Sequence, residues 1–172
     1  FLSTLTGFVP PRYETRSLRK PVRDRALSIV YRGRPLPFWY GKLGREKLEI
    51  GVRMKKLCAD RGVPADIEWS ENARIYGEKW YDFLESGKAT LGTESGANVF
   101  DDNGELRKSI LHAQREKPDL TFEEAWKRFL SDHEGRVRMN QVSPKLFESI
   151  ALGTVLVLYE GEYSGVVEPW KH

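Results

Sequence analysis

The sequence predicts an α/β domain built on a mostly parallel sheet. Two short apolar runs, Ala26–Tyr31 and Thr154–Tyr159, are partly β-branched and closed by glycine or proline, so they read as buried strands. Segments of helical period lie between them, and strand alternates with helix along the chain. That pattern covers a parallel sheet with its own connecting helices.

Taken in order, residues 1 to 25 place Pro10, Pro11 and Pro21 among arginine and serine without apolar periodicity, and read as a connector into the domain. Ala26–Tyr31 is the first strand, stopped by Gly33 and Pro35. After a loop with Pro37, Gly41 and Gly44, the residues Leu48, Val52, Leu57 and Cys58 recur among charged ones through Asp60, predicting an amphipathic helix ended by Gly62. Ala65–Trp69 is a weak second strand. Trp80, Phe83 and Leu84 fit a helix over 77–86, and Lys88–Leu91 reads as a third strand running into the loop Gly92–Gly96. Asn103-Gly104 marks a turn, and Asp101–Glu105 is read as part of it, since Val99 stands where a calcium loop requires an acid. Thr121 with Glu124 forms a capping box heading a helix that carries Ala125, Phe129 and Leu130. A helix from about Pro144 to Leu152 leads through Gly153 into Thr154–Tyr159, the clearest buried strand in the chain, closed by Gly161 and Gly165.

A chain of 172 residues can bury about 70% of its unfolded surface without disulfides or a structural metal. The single cysteine, Cys58, excludes an intramolecular disulfide framework and a Cys/His zinc spacing, which points to a cytoplasmic setting and to no metal. No apolar run is long enough to span a membrane, and Phe1–Leu5 lacks the charged flank of a signal peptide. A start at Phe1 and an end at Pro169–His172 lead to the expectation that the chain is a piece of a longer protein. The net charge of +3 conceals an asymmetry: residues 1 to 57 carry 14 basic and 4 acidic side chains, and the remainder 14 and 21. An anion docking on the first third would explain this, with nucleic acid, an acidic membrane surface and a phosphorylated small molecule all open, beside a merely solvated basic face.

Open parallel sheets bind ligands beyond the carboxyl ends of their strands, which selects the loops 32–47, 92–98 and 160–165. The first holds Arg32, Arg34, Lys42, Arg45 and Lys47, with Gly33, Gly41 and Gly44, and opens onto a helix N-terminus, a diphosphate cradle in outline. It has neither a G-x-G-x-x-G nor a P-loop. The second holds Glu94, whose carboxylate can accept from sugar hydroxyls or stand as a solvated loop acid, and Ser95, which is not in a hydrolase elbow. His112, His133 and His172 fall in no ligand spacing and read as surface residues. Trp39 and Tyr40, in the basic loop, are candidates for stacking on a base, whereas the other tryptophans read as core.

The segment Ser143–Val157, a helix with a glutamate and small residues followed by glycine and an apolar strand, resembles the donor-binding signature of GT-B glycosyltransferases, particularly the group 1 family. The resemblance implies that Glu148 holds the ribose of a nucleotide sugar, and that the loop Glu160–Gly165, with Gly161, Ser164 and Gly165, lies beside the donor. Val30–Arg34 followed by Lys47 is similar to the family's Gly-Arg and following lysine, so Gly33, Arg34 and Lys47 are expected at the donor diphosphate. Where many members carry a second glutamate, eight positions before the ribose one, this chain has Asn140; Glu94 is the expected substitute, facing the transferred sugar, with residues 97 to 139 as an insert.

The resemblance covers about residues 26 to 172 and implies a Rossmann-like, donor-binding C-terminal half, with residues 1 to 25 left from the connection to an N-terminal domain. It implies transfer from a nucleotide diphosphate sugar without a cofactor, to a glycan, lipid or small-molecule acceptor that the sequence does not identify. Two alternatives remain: a basic module for single-stranded nucleic acid using residues 12 to 57, and a GT-B epimerase or phosphorylase.

Overall fold

The computed structural model describes residues 7 to 14, 20 to 168 and 170 to 171; the parts of the connector at 1–6 and 15–19, and Pro169 and His172, lie outside the described residues. Four strands, β1 (Leu27–Arg32), β2 (Ala65–Glu68), β3 (Gly87–Gly92) and β4 (Val155–Leu158), form one sheet in the order β2-β1-β3-β4. All three pairings are parallel, with Ile29 opposite Ala65 and Ala89, and Ala89 opposite Val155. This is a Rossmann-like α/β domain. The chain leaves β1 toward β2 on one side and returns to β3 on the other, so the sheet has its topological switch between β1 and β3, where a crevice opens at the carboxyl ends.

Among the described residues six α-helices accompany the sheet: α1 (Pro11–Glu14), α2 (Gly41–Asp60), α3 (Glu78–Ser86), α4 (Glu105–Glu116), α5 (Phe122–Ala125) and α6 (Pro144–Ala151). Alternation along the strands divides the core. Tyr31, Ile67 and Leu91 pack with Ile50 and Cys58 of α2, whereas Leu156 and Leu158 meet Leu146 of α6. Leu84 of α3 and Leu152 gather around Tyr13 of α1, so part of the connector is core.

Three expectations are corrected. The buried face of α2 includes Leu43, Ile50 and Cys58, while Val52 and Leu57 are 44% and 47% exposed, because the face that meets Tyr31, Ile67 and Leu91 of the sheet is the one carrying Ile50 and Cys58, and Val52 and Leu57 are turned away from it. The strand β4 is not deeply buried: it lies at the sheet edge with a partner on one side only, and Val155 is 55% exposed. The region after Asn103-Gly104 is more than a turn. Asp101 accepts from the backbone N–H of Leu106 and Arg107, at 3.2 and 2.9 Å, and so caps α4, whose Leu106, Ile110 and Ala113 recur at helical spacing. The capping box at Thr121 and Glu124 is present, and α5 runs into a π-turn at Trp126–Leu130. Residues of this insert, Val99, Ile110 and Leu130, form a satellite core against Phe38 and Trp39.

Arg25 is 2% exposed and sits at the amino ends of the strands. Its Nη1 donates to Gly87 O and Thr154 Oγ1, and its Nη2 to Leu152 O, each at 2.8 Å. Thr154 Oγ1 in turn donates to Leu84 O at 2.9 Å, so one guanidinium joins the starts of β3 and β4 to the ends of α3 and α6.

Candidate functional site

A cavity of about 630 Å³ opens at the switch between β1 and β3. Gly33 and Arg34 follow β1, Thr93 follows β3, Arg74 to Gly77 belong to the segment after β2, and Lys47, Trp80 and Lys145 reach in from α2, α3 and α6. Tyr31 Oη donates to Lys47 O at 2.7 Å, fixing α2 on β1, and a Cβ on Gly33 would lie 3.0 Å from that same carbonyl. Glycine is therefore what lets the loop after β1 pass so close to α2.

The cations of the basic loop divide by what they touch. Arg32 is held by both carboxylate oxygens of Asp66, at 2.8 and 2.9 Å, and its guanidinium covers the Phe83 ring. Arg45 pairs with Glu49, and Lys42 lies over Trp126. Arg34 and Lys47 are different. Among the described residues neither has an ion pair, Arg34 is exposed at the cavity, and Lys47 Nζ makes one hydrogen bond, 3.1 Å to Ser95 Oγ. Burial and the nearby Arg34 together lower the Lys47 pKa, as expected of an ammonium that lacks a counter-charge.

Lys145 was absent from the expected site. It is partly buried in the cavity wall, donates to Leu91 O at 2.7 Å, and lies 4.3 Å from the centre of the Tyr31 ring. The signal that could have found it is a lysine on an apolar helix face, between Val142 and Leu146 on one side and Ser149 on the other.

The helix terminus expected to hold the anion is occupied. Glu134 accepts from Lys42 N through both oxygens at 3.2 Å, and also from Trp126 Nε1 at 2.8 Å, so the insert supplies its own carboxylate to the start of α2. Phosphate binding there would have to displace it. The termini of α3 and α6 border the cavity, through Gly77 and Ser143.

Glu148 accepts from Trp80 Nε1 at 2.8 Å through Oε2, which ties it to the cavity wall; its Oε1 has no hydrogen bond among the described residues. Glu94, Gly161, Ser164 and Gly165 form a second group beside the cavity rather than lining it. Glu94 is 5% exposed, not a solvated loop acid. Its Oε2 accepts from Asn140 Nδ2 at 2.7 Å and its Oε1 from Tyr163 N at 2.8 Å, and a Cβ on Gly161 would come within 2.9 Å of it. Glu94 and Asn140, the two positions compared for the missing second glutamate, are thus in contact. Ser164 Oγ accepts from Val142 N at 3.3 Å, and Gly165 has a φ of 68°. Glu46, on α2 beside Lys47, is raised to about 7 by burial and by Glu94, Glu49 and Glu134.

Comparison with known proteins found no matching family model, no matching curated protein and no matching solved structure. Among the described residues no helix is long and apolar enough to cross a membrane.

Proposed function

We propose that this chain is the donor-binding part of a GT-B glycosyltransferase, which takes a sugar from a nucleotide diphosphate sugar. One observation carries the reading: Arg34 and Lys47 line the cavity at the switch between β1 and β3 with no carboxylate paired to either among the described residues. A half-buried ammonium such as Lys47, beside the cation Arg34 and without a counter-charge among the described residues, is costly unless an anion joins it, and a diphosphate supplies that charge.

In glycosyl transfer the carbon–oxygen bond between sugar and diphosphate breaks, and negative charge grows on the departing diphosphate. Arg34 and Lys47 would stabilise that charge as it develops, in the position a metal takes elsewhere. Glu148 stands behind Trp80 rather than in the cavity lining; with Oε2 oriented by Trp80 and Oε1 without a hydrogen bond among the described residues, it would hold a vicinal diol such as a ribose if the donor reaches it. Glu94, with both oxygens engaged, enters the proposal as the residue that ties the Gly161–Gly165 loop to Asn140 in the segment before α6. The nucleic-acid alternative is weakened because Trp39, one of its two stacking rings, packs against the satellite core and lies under Arg107.

Calorimetry with a panel of nucleoside diphosphates and nucleotide sugars tests the reading. Wild type should bind, Arg34→Ala should weaken binding by about tenfold or more, the scale of one lost charge-assisted contact, and Glu148→Ala should weaken nucleotides but not inorganic pyrophosphate. Wild type and both variants binding alike, or none binding, would overturn it.

A further inference from the structure

Two lysines interrupt core-facing stripes, and they come from helices on opposite faces of the sheet. On α2 the stripe runs Leu43, Lys47, Ile50, Met54 and Cys58; on α6 and the turn before it, Val142, Lys145, Ser149 and Leu152. Such positions are ordinarily filled by apolar side chains that complete the packing. Here each stripe gives up one such position to a lysine at the carboxyl end of the sheet, and both lysines line the same cavity. Lys145 has three N–H groups and one hydrogen bond, to a backbone carbonyl of β3, and among the described residues no carboxylate pairs with it.

We propose that Lys145 is a third cationic contact to the diphosphate and takes up a proton as the diphosphate binds, an inference that rests on the donor-binding reading above. The groups facing it come from each neighbouring element: Lys47 from α2, the Tyr31 ring from β1, the Leu91 carbonyl from β3, and Glu148 one turn along α6. Tyr31 stays neutral, because burial raises its phenol. Burial and Lys47 pull Lys145 down to about 7, and Glu148, turned toward Trp80, opposes this only in part. The empty site therefore holds Lys145 partly unprotonated at neutral pH. A doubly charged diphosphate reverses the local potential and restores the ammonium, so binding and protonation favour each other.

The test is calorimetry of the full chain with nucleotide sugars, whose diphosphate has no ionisation of its own near neutrality, in buffers of different ionisation heat. Wild-type affinity should fall between about pH 6 and about pH 8.5 by up to roughly tenfold, the most that losing the ammonium can cost, as a group titrating near 7 gives up its proton. The heats should report net proton uptake near neutrality. Lys145→Met should bind about tenfold more weakly at the acid end, lose most of the pH dependence, and melt no lower than wild type. Unchanged affinity in Lys145→Met, or wild-type binding without proton uptake, overturns the proposal. If nucleotide sugars fail to bind but inorganic pyrophosphate binds and Lys145→Met loses it, the donor reading falls and Lys145 stands; if neither ligand binds, both fall.

Discussion

Arg25→Met is expected to destabilise the domain by about 3–5 kcal/mol, read from urea unfolding as a lower midpoint at unchanged slope. The guanidinium is almost wholly buried and donates to Gly87 O, Leu152 O and Thr154 Oγ1. Methionine fills a similar volume, so the loss comes from acceptors left unsatisfied in the interior rather than from an empty space. These acceptors lie at the starts of β3 and β4 and the end of α6, so the substitution should loosen the amino ends of the strands together. Thr154→Val removes one link only and should cost about 1 kcal/mol. Arg25→Lys restores the charge without the planar fork and should recover part of the loss. A loss below about 1 kcal/mol for Arg25→Met would mean that water replaces the guanidinium at those carbonyls.

Arg25 also shows where sequence reading stops. It stands one residue before the first apolar run, in a stretch without periodicity, and nothing in its surroundings distinguishes a buried arginine from a solvated one. The four strands were legible to within about a residue at each end, because three contain short apolar or β-branched runs bounded by glycine or proline and β2 alternates apolar with acidic residues after Pro64, and local signals of that kind survive folding. Helix α4 was less so: Leu106, Ile110 and Ala113 do stand at helical spacing, but its cap, Asp101, lies outside the usual spacing and an Asn-Gly turn signal stands directly before it. The loops after β1 and β3 were legible as site material from topology alone. Which cations inside them are free was not. Arg32 and Arg34 stand two residues apart, and only the fold shows that Asp66, on the neighbouring strand, takes Arg32 while Arg34 has no such partner. Occupation of the α2 terminus by Glu134, some ninety residues away, is long-range in the same sense.

Lys47→Met is expected to lower affinity for the donor diphosphate by roughly ten- to a hundredfold, the cost of one charge-assisted contact in a partly desolvated site. The same substitution should leave stability unchanged or raise it, because the ammonium it removes is lowered in pKa by burial and by Arg34 and, among the described residues, hydrogen-bonds only the Ser95 hydroxyl. Opposite signs for binding and stability are the signature of a residue kept for its ligand; a structural lysine would lose both. The sign of the pH effect on stability follows from the same shift. With its pKa lower in the folded state than in the unfolded chain, Lys47 makes its unfavourable contribution in full below the folded value, and that contribution is relieved as pH rises toward the unfolded value. The gain in melting temperature of Lys47→Met over wild type should therefore shrink as the solution is made alkaline. Combining it with Arg34→Ala should cost less than the two single losses together, since the two cations repel each other in the empty site and act on one anion in the filled one. If Lys47→Met binds as wild type does, the diphosphate does not sit between β1 and α2, and the basic loop serves some other anion.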